Sequence, residues 1–449
     1  MATTSLEALE SQRQQLLKQF VGTNLQDAPV PSAILDLAKV KRNCTRMLES
    51  IDALGFGWRA HIKTHKTTEL TLLQLGGPPP RPAHVITSTL TEAEHILPLL
   101  LTYPPDSRSL LYGLPPAPSY APRLASLSRS LGAYGLRILV DHPSQVSVVR
   151  KIHELSGVPV GVSIKIEMGY QRSGILAASE LFKELIAALL PLIEGGKCKI
   201  VGLYSHAGHS YAGSDPATAI SLLNDELRAL LDASNALRAL APADQLTFSV
   251  GATPTTTAVY NLLHPSASAS ASETTALATL QGTIEEVRKA DAAIELHAGV
   301  YPVLDMQQLA TSARPLSQLS TDDIALTILA EVASIYPHRR TGEALITAGS
   351  IALGKDLCKS YDGSGVVSTW GAVGGEGWVV GSVSQEHGIL KWTGREGEGT
   401  GLEIGGRVRV WPNHACIAGT GFDWYLIVDS EGEGKGDVVV DVWMRWRGW

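Results

Sequence analysis

The chain has 449 residues, 44% hydrophobic and 18% charged, the composition of an ordinary globular protein with room for two domains. A net charge of −7 and an isoelectric point near 6.0 exclude nucleic acid as a main partner, because phosphate binding needs a basic surface. No apolar run of about 18 residues is present to cross a bilayer, and four scattered cysteines without a CxxC pair read as reduced thiols rather than a disulfide framework.

The first segment, MATTSLEALESQRQQLLKQFVG, is amphipathic and polar and lacks the apolar core of a signal peptide, so a cytoplasmic protein is expected. Residues 1–30 read as an extension that packs on a later β domain. From residue 31 short apolar runs alternate with helical stretches. SAILDL precedes AKVKRNCTRMLESIDALG, WRAHIK precedes TTELTLLQLGG, and HVITST precedes LTEAEHILPLL. LRILVD leads to HPSQVSVVRKIHELSG, VGVSIKIE to ASELFKELIAALLPLIEGG, and IVGLYSH to ATAISLLNDELRALLDASNALRAL. LTFSVGATPT and AIELHAGVY close the series. Repeated strand–helix units of this kind predict a (β/α)8 TIM-type barrel over 31–320, with a doubly wound open sheet as the alternative.

Inside that stretch, HPSASASASETTALATLQG (264–282) is low-complexity and reads as a surface insertion. After residue 320 the texture changes to strand-like runs separated by Gly-rich turns: IALTILAEVASIYP, EALITAGSIAL, WVVGSVSQEHGILKW, GGRVRVWPNHACIAG, DWYLIVD and DVVVDVWMRW. Residues 321–449 are therefore expected to form an all-β domain.

The stretch FGWRAHIKTHKT (56–67) carries the densest chemistry. As a strand, GWRAHIK turns Arg59, His61 and Lys63 to one face and Trp58, Ala60 and Ile62 to the other. Lys63 then sits at the C-terminal rim of a barrel, where active sites form; Lys66 falls beyond the strand. A lysine held there beside other cations is a nucleophile. A strand end with solvated basic residues fits the same letters, and the stretch alone does not separate the two.

RAHIKTHKT closely resembles the lysine motif of the D-serine dehydratase and D-threonine aldolase family, pyridoxal-phosphate enzymes with an alanine-racemase-like barrel (fold type III). KIEMGYQRSG, GLYSHAGHSY, SVGATPT, ELHAGVYPVLD, AGSIALGKD, SQEHG and PNHAC follow in the family's order. The resemblance implies that the first lysine of KTHK, Lys63, is the catalytic residue and holds the cofactor covalently. It also implies that Arg172, Tyr204 and Tyr211 line the cofactor, and that the turn at Gly251 and Thr253 binds its phosphate with help from Gly299, Val300 and Tyr301. Such a turn offers backbone N–H groups and hydroxyls to a phosphate. Glu167 stands where the family usually has aspartate.

His414 and Cys416 in WPNHAC are two apart and share a face if they lie on a strand. Imidazole plus thiolate suits Zn²⁺, although two protein ligands fall short of the usual three and a buried Cys beside a His is commoner than a metal site. By resemblance this pair binds zinc in the dehydratases, whereas the aldolases carry a carboxylate in place of the cysteine. The implied reaction is elimination of D-serine to pyruvate and ammonia, with D-threonine as a second candidate substrate and retro-aldol cleavage as the rival. A non-catalytic pyridoxal-phosphate carrier shares the barrel but lacks the β domain. The resemblance further implies a homodimer.

Overall fold

The computed structural model describes residues 6–241, 244–339, 342–368, 376–396, 398 and 401–449. They form two compact units, one from residues 46–63, 71–299 and 448–449 and the other from 1–45, 64–70 and 300–447. Strand β1 (Ser32–Asp36) belongs to the second unit.

The first unit is a closed barrel of eight parallel strands: β2 (Gly57–His61), β3 (Ala83–Thr87), β4 (Arg108–Tyr112), β5 (Leu136–Val140), β6 (Val160–Lys165), β7 (Cys198–Tyr204), β8 (Leu246–Val250) and β9 (Ala292–Ala298). They pair in chain order, and β9 returns to β2 with Glu295 beside Gly57. The connecting helices start on side-chain caps that satisfy their first N–H groups: Thr89 accepts from Glu92 N–H, and Asp215 accepts from Thr218 N–H.

The barrel interior departs from tiers of branched apolar side chains. Its middle tier is apolar, with Ile86, Leu111, Leu139 and Tyr204 in one cluster. Toward the N-terminal ends of the strands lies a polar tier. Arg59 donates to both Glu295 carboxylate oxygens at 2.7 and 3.0 Å and to Ser109 Oγ at 3.0 Å. Both ions are buried, and the Arg59 charge holds the Glu295 carboxyl well below the usual range against the opposing effect of burial. Breaking such a pair leaves one charge uncompensated in a dry interior. Glu295→Gln is therefore expected to destabilise the barrel by about 3–5 kcal/mol, read as a lower denaturant midpoint at unchanged m-value; an unchanged midpoint would contradict the placement.

The second unit is a nine-stranded sheet built from β1 and eight later strands: β10 (Leu326–Tyr336), β11 (Glu343–Ile346), β12 (Gly365–Val367), β13 (Trp378–Val383), β14 (Gly388–Trp392), β15 (Arg407–Pro412), β16 (Trp424–Val428) and β17 (Asp441–Met444). The order is β11-β14-β13-β12-β15-β10-β1-β16-β17, and a further β10–β11 pairing closes its first six strands into a ring. All pairs are antiparallel except β1–β16. The helix Leu6–Phe20 lays Leu16 and Phe20 on Val442 and Met444, and Arg13 donates to Asp441 Oδ1 at 2.9 Å.

Three expectations change here. SAILD is an interior strand of the second unit's sheet, between β10 and β16, rather than the first barrel strand, so barrel strands run only from Gly57 to Ala298. Its five residues are all buried, and an apolar run of that kind suits either sheet. The division at residue 320 likewise shifts, because residues from Val300 onward already belong to the second unit. Finally, the Ser/Ala-rich insertion folds in its second half as the helix Ala271–Lys289. Ser270 caps it by accepting from Glu273 N–H, alanine supplies helix propensity, and Ala276, Leu277 and Leu280 are buried.

Candidate active site

The C-terminal rim of the barrel gathers basic and aromatic side chains. β2 ends at His61, not at Lys63. The Ile62 N–H still donates to the Ile86 carbonyl at 3.1 Å, and Lys63 stands half-buried in the turn that follows. Burial, and then the charges of Lys63, His297 and His206, lower the pKa of His61 well below its ordinary value. Lys63 thus shares the rim with a histidine held neutral.

Around it, Tyr204 at the end of β7 stacks on His297 of β9, with ring centroids 4.4 Å apart and planes 10° from parallel. The Lys165 ammonium, from the end of β6, lies 4.8 Å from the Tyr204 ring centroid. Lys165 is 4% exposed, and its pKa is pushed down to about 8 by burial and then by Arg172. Arg172 is exposed, with its guanidinium 5.1 Å from the centroid of Tyr170. Glu167 folds the loop before it by accepting from the N–H groups of Gly169 and Gln171 at 2.5 and 3.0 Å. Tyr211 is half-buried in the 3-10 turn Gly208–Ala212 that follows β7.

The turn after β8 is organised by a residue the sequence reading passed over. The buried Glu226 accepts from Ala207 N–H, Gly251 N–H and Thr255 Oγ1, each at 3.0 Å. Burial raises its pKa to about 7 against those bonds. His206 Nδ1 meets the Gly251 carbonyl at 2.6 Å, and Thr256 Oγ1 donates to the His297 carbonyl at 2.8 Å. Gly251 therefore spends its N–H on Glu226, and the absence of a side chain lets Thr256 and the His297 carbonyl pack against it. Thr253 is buried at the first position of the short helix Thr253–Thr257. Gly251 has φ +142°, and a Cβ there would collide with Thr256 Oγ1 and the His297 carbonyl oxygen. Gly251→Ala should accordingly cost about 1–3 kcal/mol and weaken cofactor affinity together, measured by thermal melting and cofactor titration; full stability with weakened affinity would show that the glycine acts on the ligand alone.

Gly299 follows β9 in the barrel unit, whereas Val300 and Tyr301 are buried in the second unit. There the Val300 carbonyl accepts from Val303 and Leu304 N–H, and Tyr301 reaches the Cys44 thiol.

The rim fits a pyridoxal phosphate. Among the described residues, the Nδ1 atoms of His61 and His209, Oγ of Ser205 and Ser210, and Nε2 of His297 are buried without a hydrogen-bond partner. Orphaned polar atoms of this kind are costly unless a polar ligand meets them.

Within the second unit, His414 and Cys416 also come together, though not on a strand. β15 stops at Pro412, His414 caps the short helix Ala415–Ala418, and Cys416 lies in its first turn. Asn413 pins the bend by donating to the Asp356 and Gly363 carbonyls at 3.0 and 2.8 Å, and Asp305 accepts from Ala415 N–H at 2.8 Å. His414 Nδ1 meets Asp356 Oδ2 at 2.6 Å, and Cys416 Sγ lies 3.1 Å from Thr64 Oγ1. Burial opposes the charged imidazole, but the bond to Cys416 and the charges of Cys416 and Asp305 raise the His414 pKa to about 9. A carboxylate on Nδ1 leaves Nε2 beside the thiol, the arrangement expected of a zinc-ligating histidine. No group of three or more His, Cys, Asp or Glu side chains is placed for a metal among the described residues. Glu386 and His387 are exposed in the turn between β13 and β14.

The family model described as "Alanine racemase, N-terminal domain" matches residues 35–270, and "Putative serine dehydratase domain" matches residues 325–428. A D-serine dehydratase of Schizosaccharomyces pombe is 36% identical, covering 98% of this chain and 97% of that protein. The D-serine dehydratase of Saccharomyces cerevisiae is 32% identical over 97% of this chain and 99% of its own length. Among solved structures, D-threo-3-hydroxyaspartate dehydratase from Delftia sp. HT23 superposes with a TM-score of 0.73 at 28% identity, covering 95% of this chain and all of that one.

Proposed function

The chain belongs to the D-serine dehydratase family, and from that premise we propose that it is a D-serine ammonia-lyase, converting D-serine to pyruvate and ammonia with pyridoxal phosphate and zinc. The observation that carries the reading is Lys63, set just past the end of a barrel strand among neutral histidines and orphaned polar atoms.

Pyridoxal phosphate, when bound, supplies an electron sink for a carbanion at the substrate's Cα. Lys63 would hold it covalently, and its Nζ would serve as the base that removes the substrate's Cα proton. Tyr204, which stacks on His297, would present an aromatic face to the cofactor, and Arg172 with Lys165 would supply positive charge near it. Glu226 keeps the two turns at Ala207 and Gly251 in register. Tyr211, Gly251, Thr253, Gly299, Val300 and Tyr301 complete the proposed cofactor set.

Zinc on His414 Nε2 and Cys416 Sγ would supply Lewis acidity toward the β-hydroxyl, a poor leaving group. Asp356 would fix the ring and tautomer of His414. Thr64, which bonds the Cys416 thiol, is the residue next to Lys63 in the chain. A metal is also named for a relative: a cysteine-to-alanine mutant of D-threo-3-hydroxyaspartate dehydratase, 27% identical with a TM-score of 0.74, was solved in the metal-free form.

The reading includes a homodimer, from the resemblance to alanine-racemase-like barrels. It also places the protein in the cytoplasm, supported by its free cysteines. No helix of the described residues is long and apolar enough to cross a membrane. Product analysis tests the reaction. Pyruvate from D-serine is the expected outcome. Glycine plus aldehyde from D-threonine, without pyruvate from D-serine, would replace it with an aldolase.

A further inference from the structure

The N-terminal end of the barrel holds a polar centre that the proposed reaction leaves unused. Arg137, the second residue of β5, has a buried Nε, and no hydrogen bond or ion pair to its guanidinium occurs among the described residues. The negative charge that acts on it is that of Glu295. Glu295 is the acid of this tier, and both its oxygens are committed to Arg59. His84, bonded through Nδ1 to Ser109 Oγ at 2.9 Å, is kept neutral, since burial and then the Arg59 charge push its pKa down to about 3. Burial and the same Arg59 charge lower Arg137 to about 10, which still leaves it cationic at neutral pH.

A cavity of about 280 Å³ opens at this end, lined by Gly57, His84, Arg137, Thr247, Arg288 and Glu295 among others. That is roughly nine water molecules' worth of space. Gly57, opposite Glu295, lines it without a side chain, and Gly161, opposite Arg137, leaves room for the Arg137 side chain, since a Cβ there would stand 3.1 Å from the Arg137 Cγ. A guanidinium with no hydrogen-bond partner among the described residues, beside a carboxylate already committed to Arg59 and lining a cavity that opens to the surface, suits an anion, and its planar fork of donors suits an oxyanion best.

We propose that this cavity is a second binding site, for a small oxyanion (a carboxylate or inorganic phosphate) held by the Arg137 guanidinium, with Arg288 at the rim. Arg288 is tied to the Leu54 carbonyl at 2.8 Å, so it contributes positive charge from a fixed place. The Glu295 wall, neutralised by Arg59, accepts a single small anion and disfavours larger polyanions. The site lies at the opposite end of the parallel strands from Lys63, so its occupancy is read as stability of the barrel.

The test uses cofactor-loaded protein, in which pyridoxal phosphate already occupies its own phosphate site. Thermal midpoints are measured against increasing inorganic phosphate and, separately, malonate, with chloride at equal ionic strength as the reference. A saturable rise on the order of 1–3 °C is expected for at least one of the two, and which one responds identifies the source of the oxyanion. Arg137→Gln should abolish the rise. Ala293→Trp, at an exposed position lining the same cavity, should abolish it too, by closing the entrance while leaving the guanidinium intact and D-serine turnover unchanged. If Arg137→Gln does not fold, the Ala293 variant decides. No saturable rise with either anion, or a rise that survives either substitution, overturns the proposal.

Discussion

Lys63→Ala should lose the covalent cofactor and cut pyruvate formation from D-serine on the order of 10⁴-fold or more, because one atom serves both as the cofactor's attachment and as the base at Cα. Borohydride reduction of the unmodified protein should fix the cofactor on Lys63, located by peptide mapping. Lys66→Ala is the control. Lys66 lies three residues on, at φ 52°, in the segment 64–70 of the second unit, where its carbonyl accepts the Trp446 N–H at 2.9 Å. That variant should keep its cofactor and most of its activity. A label on Lys66 would mean that the turn after β2 is wrongly assigned.

The second large effect concerns the metal pair. Cys416→Ala and His414→Ala each remove one of the two proposed donors, and two donors leave no reserve. Each variant should still bind pyridoxal phosphate on Lys63 and still exchange the Cα hydrogen of D-serine with solvent deuterium, since the proposed mechanism assigns that chemistry to Lys63. Pyruvate formation should fall by about 3 kcal/mol of barrier, roughly a hundredfold or more. Cys416→Asp is more discriminating. A carboxylate favours a harder ion, so zinc affinity and D-serine elimination should fall together. A variant that loses zinc and retains full elimination would remove the metal from the mechanism.

The barrel was legible because its strand–helix rhythm is long and regular, and the second unit because its strands are separated by Gly-rich turns. Strand ends were less so. The alternation in GWRAHIK correctly joins Arg59 and His61 on the inner face, but nothing in the letters says that the strand stops at His61 or that Lys63 enters from a turn. The His414–Cys416 pair converges for a reason other than the one its spacing suggests: a strand-to-helix bend held by Asn413 and Asp305 replaces the shared strand face. Short-range spacing cannot distinguish these routes. Lys165, inside the apolar run VSIKI, and Glu295 with His297, two apart in IELHA, did carry a signal, because buried polar residues at strand period mark an inner face. Glu226 carried none: it sits in the helix Pro216–Arg238, and only the fold brings the Gly251 turn to it.

The most direct measurement is made on the unaltered protein loaded with pyridoxal phosphate, stripped of metal by a chelator, and given D-serine in deuterated water. Pyruvate and Cα deuteration are followed together before and after zinc is returned. The account predicts deuteration without pyruvate in the stripped protein, and pyruvate restored on adding zinc. Undiminished pyruvate from protein shown to be metal-free would contradict it.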